Sequence, residues 1–171
     1  MQYNRTMTAT AYVVDRKSGD KRILLHLHKK FGQLYPLGGH IEPSELPHEA
    51  VLREVFEESG LSVLLAEEAG RVIKQSDGFI LPAPAFLLHE NVSSPVQNLD
   101  FVYIAYLPDG FDSEAPMKPL SGESKELYIV GEDEVREGKI VRNGKEIPLP
   151  SHIKRIAMAV FHRISGKDMY I

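Results

Sequence analysis

The stretch from Pro47 to Gly60, PHEAVLREVFEESG, constrains the fold more tightly than any other part of the chain. Its apolar residues recur at helical spacing, Pro47 suits a first helical position, and Gly60 is a good C-terminal stop. At roughly 100° per residue, Val51, Leu52, Val55 and Phe56 form one stripe, while Glu54, Glu57 and Glu58 occupy the neighbouring arc. The spacing predicts a helix from Pro47 to Ser59 with three carboxylates flanking its buried face. Two of them lie at the C-terminal end, where the backbone dipole is already negative, and acids three or four positions apart repel one another. Arg53 stands four residues before Glu57 and can pair with it, but one guanidinium cannot neutralise three acids. A divalent cation can. Oxygen donors with no cysteine and no obligatory histidine point to a hard ion such as Mg2+ or Mn2+; a solvated acidic face is the plainer reading of the same residues.

The residues before this helix add to the pattern. Leu46 occupies the N-cap position and is a poor capping residue, although Glu49 is placed to bond back to its amide as half of a capping box. Gly38-Gly39 lets the backbone approach a ligand closely, and a free carbonyl there would add a metal ligand; the pair equally suits a bend.

Around this unit the chain reads as strands and turns. TATAYVV (8–14) and RILLHLH (22–28), joined by RKSGDK, predict a hairpin. Further strand-like runs are LSVLLAE, GRVIKQ, APAFLLHE, DFVYIAYL and KELYIV. Asn143-Gly144 in KIVRNGKEI is the strongest short hairpin signal in the sequence. SHIKRIAMAVFHRIS places Ile153, Ile156, Ala157, Val160 and Ile164 at helical spacing, with Ser151 as the expected N-cap. The expectation is an α+β domain, or layered α/β/α sandwich, with a mixed β-sheet and two main helices, spanning residues 1–171 as one domain. The long segment 108–124, with its prolines and no apolar periodicity, is a candidate substrate lid or a plain surface loop.

Composition removes several function classes. A formal net charge of −4 with mixed signs leaves no basic stripe to hold a long nucleic acid, although a single nucleotide needs none. The N-terminal stretch lacks the apolar core of a signal peptide and no run reaches the length of a membrane span, so a cytoplasmic protein without a membrane partner is expected. Cysteine is absent, which excludes disulfides, thiolate metal sites and cysteine nucleophiles, and suits a reducing compartment.

From Gly39 the chain reads GHIEPSELPHEAVLREVFEESGL. This resembles the Nudix box, G-x5-E-x7-R-E-U-x-E-E-x-G-U with U aliphatic, at every fixed position: Gly39, Glu45, Arg53, Glu54, Val55, Glu57, Glu58, Gly60 and Leu61. The resemblance implies an α/β/α sandwich that holds Mg2+ or Mn2+ and hydrolyses a nucleoside diphosphate linked to another moiety. Carried over by position, Glu54, Glu57 and Glu58 become metal-facing carboxylates and the carbonyl of Gly38 a further ligand. Arg53 would orient Glu57, Glu45 would brace the loop, and Gly39 and Gly60 would shape it. The base that activates water comes, in this family, from the box or from a loop nearer the C-terminus. Glu123 and Glu126 are candidates for the second role, with ordinary surface acids as the alternative. Dimers are common in the family, so a homodimer is among the expected assemblies.

Substrate identity is not legible. Ser76 and the late Pro82 and Pro84 fit none of the downstream markers that label some subfamilies, and a zinc ribbon is excluded by the missing cysteines. Tyr35, Phe79 and Tyr103 are candidates to stack a base, Tyr103 fitting a core role better. Lys29, with Lys30, His26 and His28, precedes the glycines and could meet phosphates, the two histidines reading better as structural residues on one strand face. Three functions compete. The first is a metal-dependent pyrophosphohydrolase acting on a small nucleotide. The second is a non-catalytic nucleotide-binding or regulatory protein, which has no reason to keep three repelling acids. The third is an isomerase on the same scaffold, disfavoured because the familiar ones use a cysteine.

Overall fold

A computed structural model of the protein describes residues 4–16, 21–66, 71–93, 96–112, 115, 117–120, 122 and 124–166. Strand β1 (Asn4–Asp15) is the organising element. On one side it runs parallel to β9 (Val96–Tyr106), with Thr8 opposite Asp100 and Thr10 opposite Val102. On its other side it pairs with two strands in succession, both antiparallel. Its first half meets β4 (Leu37–His40), with Ala9 opposite Gly39 and Thr10 opposite Gly38; its last residues meet β2 (Arg22–His28), with Val13 opposite Leu24. The short β3 (Leu34–Tyr35) joins β2, while β5 (Leu64–Leu65) and β8 (Phe86–Ser93) both pair with β9. β10 (Ser124–Gly131) completes the eight-stranded mixed sheet beside β2. The expected hairpin between residues 8–14 and 22–28 is therefore present, and the sheet is mixed as the sequence implied.

Side chains alternate across a strand, so β1 feeds two cores at once. Ala9, Ala11 and Val13 face the first helix, α1 (Pro47–Ser59), and are fully buried with its Val51 and Val55. Two alanines on the strand let that helix come close. Tyr12 and Val14 point to the opposite face, where α3 (Ser151–Ile164) buries Ile153, Ala157, Val160 and Phe161. Each of these large apolar side chains contributes about 1.5–3 kcal/mol by leaving water. Helix, sheet and helix thus form the expected three layers.

Helix α1 has the expected limits. Leu46 caps it without a side-chain bond, and its N–H donates to Glu49 Oε2 at 2.9 Å. Gly60 closes it in the left-handed region, φ 74°, donating to the Phe56 carbonyl at 2.7 Å.

Several expectations are corrected. Ser151 is the first residue of α3, not its cap. Pro150 holds the boundary because its carbonyl accepts the Lys154 N–H at 2.9 Å, while its own extended backbone cannot join the helix. Among the described residues, the runs LSVLLAE and GRVIKQ yield β5 and the two-residue β6 (Ile73–Lys74), which pairs with β7 (Phe79–Ile80) as a separate ribbon. A third helix, α2 (Glu132–Glu137), was too short for periodicity to reveal. Glu134 caps it through the Gly131 N–H at 3.1 Å. β11 (Lys139–Arg142) and β12 (Lys145–Pro148) form the hairpin promised by Asn143-Gly144, whose φ values of 52° and 73° are those of a type I′ turn. Among the described residues no helix is long and apolar enough to cross a membrane.

Candidate active site

The site starts from two glycines, each closely packed for a different reason. Gly38 has φ 152°, and a Cβ there would stand 2.4 Å from the Ala9 carbonyl oxygen, so β4 lies too close to β1 for a side chain. Gly39 is different. Its Cβ would stand 2.4 Å from Glu54 Oε1, so the space it leaves is filled by the carboxylate of α1.

Arg53 fixes the acids around it. Its guanidinium grips Glu45 at two points, Nε to Oε1 at 2.8 Å and Nη2 to Oε2 at 3.0 Å, and ties the loop before α1 to the helix. Nη1 takes Glu54 Oε1 and Glu57 Oε2, both at 2.9 Å, and Nη2 also reaches the His40 carbonyl at 3.0 Å. The hydrogen bond to Glu45, then those to Glu54 and Glu57, keep Arg53 charged far above any working pH. In return Arg53 holds Glu45 below the usual carboxylate range. The pairing of Arg53 with Glu57 is the one the helical spacing predicts.

Glu58 faces the other way. It is 4% exposed, accepts the Gly38 N–H on Oε2 at 2.9 Å, and has His26 Nδ1 at 3.2 Å and Ser124 Oγ at 3.4 Å from Oε1. His26 Nδ1 is itself hydrogen-bonded to Ser124 Oγ. Although His26 and Glu58 stand at ion-pair distance, burial and then repulsion from His28 lower the imidazole to about 4. Near neutral pH the ring is therefore neutral, and the contact with Glu58 is not a charge pair.

A cavity of about 400 Å3 opens beside these groups. Gly38, Gly39 and Glu58 line one end of it. Tyr35, His28 and Phe31 form an aromatic wall, with ring centroids 4.5 to 5.6 Å apart, and His152 of α3 adds to it 6.1 Å from Tyr35. Thr8, Thr10, Asn98, Asp100 and Glu90 line the sheet side.

Placement of the remaining sequence candidates is uneven. Glu54 and Glu57 are held by Arg53 beside the cavity but are not among its lining residues. Lys29 is exposed in the turn after β2, and Phe79 is 60% exposed on the separate ribbon; neither lines the cavity. Glu126 stands exposed on β10, bonded to the Tyr128 hydroxyl, and does not line it either. Glu123 lies outside the described residues, as do several positions of the expected lid, though Leu120 of that segment donates its N–H to the Glu58 carbonyl at 3.0 Å. Tyr103 is a core residue, 2% exposed, with its hydroxyl on the Pro82 carbonyl at 3.3 Å. His26 and His28 share a strand face as expected, but that face is the cavity wall. The polar set on β1, β8 and β9 is not among the residues the sequence pattern singles out. Its signal was there: threonines at every second position of TMTAT, on a strand too long and apolar to lie at the surface.

The profile of the NUDIX domain matches residues 5–146. The chain belongs to the NUDIX family. Similar solved structures include a NUDIX-family hydrolase from Clostridium perfringens, 29% identical with a TM-score of 0.67, the match covering 94% of this chain and 99% of that one. The C. elegans Ap4A hydrolase in a binary complex is 13% identical with a TM-score of 0.66, covering 94% and 98%. A MutT protein from Methanosarcina mazei Go1 is 20% identical with a TM-score of 0.63, covering 98% and 99%. The last two show the shared fold. Among curated protein sequences none matches. This Nudix protein is accordingly a hydrolase with the mixed α+β architecture its box implied.

The residues at the helix end fit a hard divalent cation in kind. Three carboxylates lie within little more than one turn of α1, and Gly39 leaves Glu54 the room of a missing Cβ. Among the described residues no three acidic or histidine side chains form a cluster that could hold an ion; Glu54 and Glu57 are bonded to Arg53, and Glu58 to the Gly38 N–H.

Proposed function

We propose that this Nudix hydrolase is a Mg2+- or Mn2+-dependent pyrophosphohydrolase of the cytoplasm. It adds water across the phosphoanhydride of a nucleoside diphosphate linked to another moiety, releasing a nucleoside monophosphate and a phosphorylated remainder. The observation that carries this reading is the junction of acids and cavity: Glu58, held by the Gly38 N–H at 2.9 Å, lines the same 400 Å3 space as the aromatic wall.

Glu54, Glu57 and Glu58 would hold the cation, with the Gly38 carbonyl as a further ligand. When bound, such an ion neutralises the pyrophosphate, polarises its P–O bonds and lowers the pKa of a water. The chain's own residues supply position. Arg53 fixes Glu54 and Glu57 and, through Glu45, locks the loop that shapes the glycine strand. Gly38 and Gly39 keep that strand free of side chains where phosphate must approach. Tyr35 offers its ring to the base. Glu58, the helix acid that lines the cavity, is the better placed acceptor for the proton of the attacking water; Glu126 stands outside the cavity with its carboxylate on Tyr128.

Purified protein incubated with nucleotide sugars, dinucleoside polyphosphates, nucleoside triphosphates and coenzyme A tests the reading, with Mg2+, Mn2+ or chelator. Metal-dependent release of a nucleoside monophosphate, lost in a Glu57→Gln, Glu58→Gln double variant, is the expected result. Undiminished turnover by that variant would overturn it. Silence throughout, with nucleotide binding retained in calorimetry, would make the protein a binder.

A further inference from the structure

The sheet side of the cavity is built from side chains whose donors are already spent. Asp100 is 7% exposed, and its Oδ1 accepts the hydroxyls of Thr8 and Thr10, both at 2.9 Å. Asn98, also 7% exposed, accepts the Thr6 hydroxyl on Oδ1 at 3.0 Å. Its amide nitrogen donates to Thr8 Oγ1 at 2.8 Å and to Glu90 Oε2 at 3.3 Å. Every proton of Thr8, Thr10 and Asn98 that faces this network therefore ends on Asp100, Thr8 or Glu90. What remains is acceptor capacity alone. Asp100 Oδ2 has no protein donor among the described residues, and no cationic side chain contacts Asp100 or Glu90 there. Burial, reinforced by the charge of Glu90, works against ionised Asp100, so a ligand that brings N–H donors relieves a standing cost.

Two features say what kind of ligand. The same cavity is lined, on the other side of β1, by the wall of His28, Phe31 and Tyr35, suited to a flat π-system. Along the sheet, β8 with Glu90 lies three strand spacings from β4 with its glycines, roughly 14 Å. Phosphate goes with the cation proposed at the glycine end, which leaves the other end of the ligand for Asp100 and Glu90. A planar group must then present adjacent N–H donors and no acceptor to Asp100 and Glu90. Adenine offers an acceptor beside its amino group. Guanine offers a ring N–H beside an amino group.

We propose that Asp100, positioned by Thr8 and Thr10 and seconded by Glu90, reads the imino and amino edge of a guanine-type base, making this Nudix hydrolase selective for guanine nucleotides. The inference rests on the cavity being the nucleotide site of the proposed function, but its test needs no hydrolysis.

The experiment is calorimetric titration of the whole protein with GMP, IMP and AMP, which keep the phosphate and vary the edge. GMP is expected to bind about 10- to 100-fold tighter than IMP or AMP, the worth of a hydrogen bond to a charged acceptor. Asp100→Asn keeps an oxygen for Thr8 and Thr10 but turns a donor toward the ligand, and should erase the preference for GMP. Glu90→Gln, at a partly exposed position, should weaken it and serves if the Asp100 variant does not fold. Equal affinity for GMP and AMP, no binding of GMP, or an unchanged preference in both variants would overturn the inference. Hydrolysis without a guanine preference would leave the proposed function standing and remove this one. A guanine preference without hydrolysis would do the reverse.

Discussion

Gly39→Ala separates the proposed catalytic role of the glycine strand from its structural one. A Cβ at Gly39 would stand 2.4 Å from Glu54 Oε1 and 2.5 Å from its Cδ, whereas ordinary contact begins near 3.4 Å. The carboxylate must therefore retreat by about 1 Å. It sits at the end of a flexible side chain, so an off-rotamer shift costs about 0.5–1.5 kcal/mol. Gly39 is not in the left-handed region, so alanine also restricts the unfolded chain and returns about 0.4–1 kcal/mol. Net stability should change by less than about 1 kcal/mol, or about 4 °C in Tm. Activity should not be spared. Misplacing a positioned group by about 1 Å costs on the order of 100-fold in rate, close to 2.7 kcal/mol of barrier. Gly38→Ala is the contrast, because its Cβ would meet backbone, 2.4 Å from the Ala9 oxygen and 2.7 Å from Thr10 Cα, at φ 152°. That strain costs about 1–3 kcal/mol before the clash is counted, and a Tm lower by at least about 6 °C is expected. Thermal melts and kcat/KM on the substrate that emerges from the screen read both. A Gly39→Ala protein with full turnover, or one as destabilised as Gly38→Ala, would refute the reasoning.

Other perturbations follow from the same geometry. Arg53→Lys keeps the charge but cannot bridge Glu45 twice while reaching Glu54, Glu57 and the His40 carbonyl. Partial exposure limits the stability loss to about 1 kcal/mol, but kcat should fall at least about 10-fold; unchanged kcat would count against the positioning role. Burial opposes the charge of Glu134, yet Arg142, at 2.6 and 3.2 Å, and the Gly131 N–H outweigh it, so the folded group titrates below its ordinary 4.5. Its contribution is therefore complete above the unfolded pKa and fades as pH falls through the lower folded one. Urea denaturation between about pH 6 and pH 3 should lose stability more steeply in the native protein than in Glu134→Gln, and parallel curves would exclude the pair as a cause. Leu46→Ser gives α1 the side-chain cap it lacks, and Leu46 is 41% exposed, so little burial is lost. The expected gain is about 1 kcal/mol, or roughly 2–4 °C in Tm, and a lower melting point would show that the leucine packs better than it caps.

Much of the acidic half of the candidate site was legible in the chain. Helix α1, its stop at Gly60, the half capping box of Glu49 and the Arg53–Glu57 pair are all contacts within four residues along one helix. Neighbour sterics and backbone hydrogen bonding fix such geometry wherever the helix is placed. Asn143-Gly144 announced its turn for the same reason, since few residues accept two successive positive φ angles.

The sheet side of the cavity was decided by pairings that no local rule sets. Thr8 and Asp100 are 92 residues apart and meet only because β1 and β9 run parallel in one register; a slip of one residue would turn both to opposite faces. Glu58 and Ser124, 66 residues apart, meet because β10 joins the sheet beside β2. Lys29 and Phe79 illustrate the converse, a suitable residue type on a turn or ribbon that the fold leaves outside the cavity. Sequence alone determined which acids this protein would gather and on which helix, because a helix is specified by its own residues. Only the tertiary structure decided what faces them across the cavity, because strand order and register are settled by burying two cores at once.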